Sequence, residues 1–250
     1  MFNQSPNQIL MKKIVLSAAI SFILIQSNSF AQVNLNNILN SASNTTGQGL
    51  SEDKIVKGLK EALALGTKKS TENASKIDGY FKNPLIKIPF PKEAAEMEKT
   101  LKSLGMSKQV DTFIKTMNRA AEDAAVKATP IFINAITNMS ITDGIKILRG
   151  GENAATLYLL NSTNTGLTKE FKPVIQKSLQ KVEITKYWNP LVKRYNQVPM
   201  VKKMNPNLDD YVTNKAIEGL FKMIAQEENK IRKDPQARVT DLLKDVFGTK

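Results

Sequence analysis

The sequence predicts an all-α fold, a single globular bundle of roughly eight to ten helices with one extended, proline-rich strap. Two observations support this fold class. Apolar residues recur at helical spacing along most of the chain, as at Val110, Phe113 and Met117. No stretch competes with that pattern through strand-like alternation, and no internal repeat emerges. We therefore expect one all-α domain over residues 51–250.

Residues 11–31 have the features of an export signal. Lys12 and Lys13 precede an apolar run over residues 14–25, and Ala31 closes a short stretch of small residues suited to cleavage. Because the run is shorter than the ~20 residues that span a bilayer, a cleaved signal is favoured over a membrane anchor. We expect a periplasmic protein with no transmembrane segment after cleavage. The predicted divisions are a signal peptide over 1–31 with its start at Met11, and a flexible polar leader over 32–50.

The first half of the domain is predicted from caps and prolines. Ser51 is a suitable N-cap for the first helix. Three prolines within residues 77–91 interrupt the helical pattern and predict a strap that lies over the helices. Pro91 then opens a helix that ends at Gly105. The strap has an alternative interpretation, an exposed contact patch formed by its aromatics Tyr80, Phe81 and Phe90.

The second half begins with the longest predicted helix, from Ser107 to about Met139, with a kink at Pro130. Five alanines make this helix thin, so neighbouring helices can approach closely and we expect it at the centre of the bundle. The last long helix ends at about Lys233. The expected starts of the later helices are Ser140 with Asp143 as its partner, Glu152, Thr185, Asp209 or Asp210, and Ala237.

The absence of histidine and cysteine excludes several classes of function. Ser-His-Asp and Cys-His catalysis, HExxH metal sites and disulfides all need one of these residues. The carboxylates show no metal-binding spacing, and we expect neither a metal nor a cofactor. S-x-x-K matches at Ser51 and Ser178 lack the S-D-N and K-T-G motifs that accompany a serine-lysine enzyme. Because these catalytic residues and motifs are missing from the sequence, a protein that is not an enzyme is favoured.

The chain is strongly basic, with a formal net charge of +13, yet few of its basic residues are arginine. Nucleic-acid readers favour arginine because its guanidinium grips phosphate and guanine bidentately, so no nucleic-acid partner is expected. The lysine excess, dense over residues 165–203, is either an ordinary solvated surface or a surface that attracts an anionic envelope component. Such a component is a lipid, a lipopolysaccharide or a glycan.

Glu227 is the most unusual residue of the pattern. At 100° per residue it falls near the middle of the apolar face of the last long helix, and burying a carboxylate there is costly unless it is paired or neutral. One interpretation is a buried pair with Arg119 or Arg149. The other is a functional acid whose pKa is raised by desolvation. Glu228 and Arg232, four residues apart, are expected to form an ordinary surface ion pair.

A second polar group lies on the long helix. Asn118 and Glu122 are one turn apart beside its apolar stripe, and Arg119 points further away. They either line a polar pocket or form a hydrogen-bonded network that joins this helix to its neighbours.

Several segments stand out along the chain, among them Asp78-Gly-Tyr-Phe, Met117-Asn-Arg-Ala-Ala-Glu, Ala154-Ala-Thr-Leu-Tyr and the region from Tyr211 to Arg232. In this order they resemble one bacterial family, the domain-of-unknown-function family 4197. The resemblance implies an exported helical protein and brings no activity, cofactor or catalytic residue. Eight polar residues within these segments form the candidate polar pocket: Asn118, Arg119, Glu122, Thr156, Tyr158, Glu227, Glu228 and Arg232.

Three hypotheses for the function follow. The leading one is a non-enzymatic periplasmic binding or interaction protein of the cell envelope, with a polar groove and a basic surface. The second is a carboxylate-dependent glycan hydrolase, which needs Glu122 or Glu152 at roughly 5 to 9.5 Å from Glu227. The third is a scaffold that pairs with another envelope protein through residues 80–91 of the strap.

Overall fold

The computed structural model contains seven α-helices in the part of the chain it describes, and no strand. The all-α multi-helix fold is therefore confirmed. The described residues are 51–103, 105–181, 188, 192–193, 196–197, 199–200, 203, 207–234 and 244. The helices are α1 (Glu52–Ser75), α2 (Ala95–Ser103), α3 (Ser107–Ala125), α4 (Ala128–Thr137), α5 (Ile141–Arg149), α6 (Ala154–Leu179) and α7 (Leu208–Lys233).

Helix α3 occupies the centre, packed against α1, α6 and α7. Its predicted apolar stripe is buried, with Val110 and Met117 fully covered. Ala121 and Ala124 are also fully covered, and their small side chains let the neighbouring helices come close. The alanine-rich sequence of this helix thus explains its central position.

The prediction of one long helix from residue 107 to about 139 is wrong. Helix α3 ends at Ala125, and Val126 and Lys127 separate it from α4. Pro130 is the third residue of α4. A proline in the first helical turn costs no backbone hydrogen bond, because the N–H groups there have no partner within the helix. The proline therefore sits at the start of a new helix and does not bend a continuous one.

Two of the predicted caps are confirmed and one is wrong. Ser51 accepts a hydrogen bond from the Lys54 N–H, and Ser140 accepts one from the Asp143 N–H. The cap predicted at Asp209 or Asp210 is wrong, because α7 begins at Leu208 and both aspartates lie in its first turn. Carboxylates in a first turn still stabilise a helix through its dipole. The predicted signal and leader lie outside the described residues, and so do most residues of the elements expected over 185–195 and 237–247.

The segment 77–91, called the strap from here on, lies over α3 and α7 as turns and irregular backbone. Tyr80 is fully buried and donates a hydrogen bond to the Ala216 carbonyl at 2.6 Å. Phe90 is buried against Phe113 and Trp188. The alternative of an exposed aromatic patch is therefore wrong for Tyr80 and Phe90, because their rings complete the core.

Within the described segments, no helix combines the length and the hydropathy that crossing a bilayer requires.

Candidate functional site

Glu228, Arg232 and Thr156 form one buried network at the junction of α5, α6 and α7. The Glu228 carboxylate accepts hydrogen bonds from the Ala155 and Thr156 N–H groups at 3.1 and 2.9 Å, and from the Thr156 hydroxyl at 2.7 Å. Arg232 donates to Glu228 at 2.9 Å and to the Ile147 carbonyl at 2.9 Å. This pair was expected on the surface, and that expectation is wrong.

The junction provides hydrogen-bond partners for backbone groups at the ends of two helices. Glu228 binds the free N–H groups at the start of α6, where the helix dipole is positive. Arg232 binds carbonyls at the end of α5, where the dipole is negative. Because the charges compensate each other and the dipoles, the network explains how an ion pair is accommodated in the interior. The network therefore holds α5, α6 and α7 together.

Glu227 does not lie in the middle of the buried face. Its side chain is 18% exposed and pairs with Lys69 and Lys230, each at 3.0 Å. Burial disfavours its charged form, but the hydrogen bonds from the two lysines outweigh burial and hold its pKa below the ordinary value. The predicted partners Arg119 and Arg149 are wrong, and so is the alternative of a raised pKa.

Asn118, Arg119 and Glu122 form a second network that fixes the strap to α3. Asn118 accepts the Ile88 N–H and donates to the Ile88 carbonyl, both at 2.8 Å. Glu122 accepts the Tyr80 and Phe81 N–H groups at 3.0 and 3.1 Å. These bonds satisfy backbone groups of the strap that would otherwise be buried without partners.

Arg119 completes this network. It forms ion pairs with Glu122 and with Asp78, so the expectation that it points away is wrong. Two cations, Lys82 and Arg119, lower the pKa of Asp78. The group therefore acts as a latch for the strap.

Six of the eight candidate residues thus form two separate networks, and Glu227 lies in its own ion pairs. Tyr158 lies elsewhere, in a groove of about 610 Å³ between α4 and α6. Each carboxylate named in the hydrolase hypothesis has a cation partner: Glu152 pairs with Lys233 at 2.6 Å, and Glu122 and Glu227 are also bound to cations. Across the described residues, no group of three or more carboxylates is placed to hold a metal ion.

A site that the sequence did not reveal lies between the strap and α7. This strap–α7 cleft has a volume of about 370 Å³. Four lysines and two glutamates line it, which leaves a net charge of +2. They are Lys87, Lys92, Lys215, Lys222, Glu93 and Glu218.

The cleft lysines fall into two pairs with different surroundings. Lys215 and Lys222 both bind Glu218, at 2.6 and 2.8 Å. In the part of the chain that the structure describes, neither Lys87 nor Lys92 pairs with a carboxylate, and the Lys87 ammonium lies 4.9 Å from the centre of the Phe81 ring. These two lysines therefore line the cleft without an ion pair to either of its glutamates.

The cleft is shaped by the close contact of the strap with α7. A Cβ on Gly219 would lie 2.9 Å from the Tyr80 ring and 3.0 Å from Ile86, so only glycine allows the strap to pack on this helix. Tyr211 donates a hydrogen bond to the Pro89 carbonyl at 3.2 Å. Burial, together with the nearby Glu93 and Glu218, raises the pKa of Tyr211 to about 12. The phenol therefore stays neutral and holds the strap.

Sequence reasoning missed the cleft because its lysines are far apart in the chain. Lys215 and Lys222 are seven residues apart and share one face of α7, which was a usable signal. Their juxtaposition with Lys87 and Lys92 depends on the path of the strap. The basic stretch that the sequence emphasised, 165–203, contains none of the four.

The chain has no significant match among curated proteins, and none among solved structures. A family model described as "Protein of unknown function (DUF4197)" matches residues 49–248, which is most of the chain. The order of segments noted in the sequence agrees with this match. The chain therefore belongs to the DUF4197 family.

Proposed function

We propose that this protein is a non-enzymatic binding protein of the cell envelope that holds an anionic group in the strap–α7 cleft. The observation that carries the proposal is the convergence of four lysines on one concave site. Ligand sites are typically concave and of a few hundred Å³, with a small number of convergent polar groups. The cleft has both properties.

The chemistry of the cleft suits a phosphate or a carboxylate. Ammonium groups act as strong point charges for such anions. Lys87 and Lys92 form no ion pair with a described carboxylate, and Lys215 and Lys222 can exchange one Glu218 oxygen for a ligand oxygen. Because Glu218 sits among the lysines, it limits the affinity and keeps binding reversible.

The expected export places the protein among anionic polymers and lipids. The predicted signal over residues 1–31 and the net charge of +11 that would remain without its Lys12 and Lys13 (13 − 2) both support an envelope component as the source of the anion. A lipid headgroup, a lipopolysaccharide phosphate and an acidic glycan share the chemistry that the cleft recognises.

The direct test is ³¹P NMR of glycerol 1-phosphate titrated with the purified protein at low salt. We expect the phosphorus resonance to broaden on binding. The double variant Lys87→Gln/Lys215→Gln should bind with about tenfold lower apparent affinity, because two cations near the anion are lost. The matched control Lys57→Gln/Lys102→Gln removes the same charge from exposed pairs on α1 and α2 and should bind like the wild type.

Two results would contradict the proposal. The first is equal weakening in both double variants, which would mean that the net charge alone attracts the anion. The second is a protein that ignores glycerol 1-phosphate, anionic lipids, lipopolysaccharide and peptidoglycan fragments at low salt.

A further inference from the structure

We infer that the anion held in the strap–α7 cleft belongs to an amphiphile, and that its alkyl chain lies in an adjoining groove between α6 and α7. This inference rests on the proposed function and names the class of ligand. It depends on the shape, the lining and the position of that second groove.

The α6–α7 groove has a volume of about 440 Å³ and a mainly apolar lining. Leu157 is 55% exposed at this groove, although it is a large aliphatic side chain. Apart from Glu218 and Lys222, no lining residue is charged; the apolar members are Leu157, Leu160, Ile217, Phe221 and Ala225. Such a lining offers little to a free anion and suits a hydrocarbon chain.

The groove and the strap–α7 cleft meet at one ion pair. Glu218 and Lys222 line both sites. The two sites therefore adjoin across this pair on α7, with the other cleft lysines on its strap side and the apolar side chains of the groove on its α6 side. A ligand that matches this distribution has an anionic head and an apolar tail, which is the chemistry of a single-chain anionic lipid.

The groove adjoins the lysine-lined cleft, which argues for a charged amphiphile over a neutral hydrocarbon. A tail alone would gain nothing from the four cleft lysines, and a headgroup alone would leave Leu157 exposed. Only a molecule with both parts uses both sites. Burial of each methylene then adds to the affinity that the lysines supply.

The test is a calorimetric titration of the purified protein with octyl, decyl and dodecyl phosphate, each below its critical micelle concentration, and with glycerol 1-phosphate. We expect the affinity to rise about twofold to fourfold for each added methylene, since a buried CH₂ contributes up to about that factor. Dodecyl maltoside, which has the same tail and a neutral head, should bind at least about tenfold more weakly than dodecyl phosphate.

Leu157→Gln supplies the positional test, because it makes the groove polar without touching a lysine. It should reduce the dependence of affinity on chain length while leaving glycerol 1-phosphate binding unchanged. The matched control is Leu65→Gln on α1, where a leucine with 53% exposure lies outside the groove. That variant should keep the wild-type dependence on chain length.

The outcomes separate this inference from the proposed function. Equal affinity for glycerol 1-phosphate and all three alkyl phosphates would overturn the amphiphile and leave the anion site intact. Equal effects of Leu157→Gln and Leu65→Gln, or equal binding of dodecyl maltoside and dodecyl phosphate, would also overturn it. Binding of none of the phosphates, together with none of the anionic lipids, lipopolysaccharide or peptidoglycan fragments, would overturn both proposals.

Discussion

Glu228 and Arg232 pair at 2.9 Å one turn apart on α7, and between them they hold the ends of two other helices. Glu228 receives the first N–H groups of α6, and Arg232 reaches the last carbonyls of α5. The last helix of the described fold thus organises the two helices that precede it. This role makes the stability of the bundle sensitive to one carboxylate.

We predict that Glu228→Gln lowers the free energy of unfolding by about 3 kcal/mol, because the largely covered Arg232 guanidinium loses its carboxylate partner. The adjacent Glu227→Gln is the matched control. It breaks ion pairs with two exposed lysines and should lower the free energy of unfolding by less than about 1 kcal/mol. Urea denaturation measures both, and equal losses would contradict the structural role of Glu228.

The ion pairs of Glu227 predict a specific dependence on pH. Because its folded-state pKa is lowered, its contribution to stability is complete above the ordinary value of about 4.5 and is lost as pH falls through the lowered value. The wild type should therefore be more stable than Glu227→Gln at about pH 7, and this difference in unfolding free energy should vanish at about pH 2. A difference that grows on acidification would show that the sign is wrong.

Asn118 should control the attachment of the strap. Asn118→Ala leaves the Ile88 N–H and carbonyl without partners and should cost about 2 kcal/mol. Trypsin should then cleave the native protein within the strap, at Lys82 or Lys87, about 30-fold faster through local opening. Asn161→Ala, at an exposed position of α6, is the control. Unchanged cleavage in Asn118→Ala would show that the latch is unimportant.

Two glycines within helices should respond in opposite directions. Gly66→Ala on α1 meets no atom within 4 Å and should stabilise the protein by about 0.5–1 kcal/mol through helix propensity. Gly219→Ala drives a Cβ into Tyr80 and Ile86 and should destabilise it by about 1–3 kcal/mol. Thermal unfolding of both variants checks this. A stabilised Gly219→Ala would mean that the strap does not pack closely on α7.

Periodicity was enough to predict the fold class, because most helices bury one continuous stripe. It failed where two adjacent residues compete for the same face. The buried residues Val212, Ala216, Leu220 and Ile224 advance by four, and the next step is Glu228. An average wheel at 100° per residue placed Glu227 there instead. The identity of the buried acid therefore depended on the neighbouring helices, since the start of α6 meets Glu228 and Lys69 of α1 meets Glu227.

The strap–α7 cleft was beyond prediction for a different reason. Its position follows from long-range contacts, such as Tyr80 with the Ala216 carbonyl and Ile86 with Gly219. Such contacts join residues more than a hundred positions apart, and no local pattern specifies them. The break before α4 was also unforeseen, because Val126 and Lys127 carry neither the glycine nor the proline that normally marks one.

The most direct measurement is the affinity of Glu218→Gln for glycerol 1-phosphate. This change removes the carboxylate that pairs with Lys215 and Lys222 and competes with a bound anion for them. We therefore predict binding about fivefold tighter than wild type at low salt, which corresponds to ~1 kcal/mol of binding free energy. Glu98→Gln is the matched control, since it removes a glutamate that pairs with a lysine four residues on, Lys102 on α2, and should change little. Weaker or unchanged binding in Glu218→Gln, or an equal gain in Glu98→Gln, would contradict anion binding at the cleft.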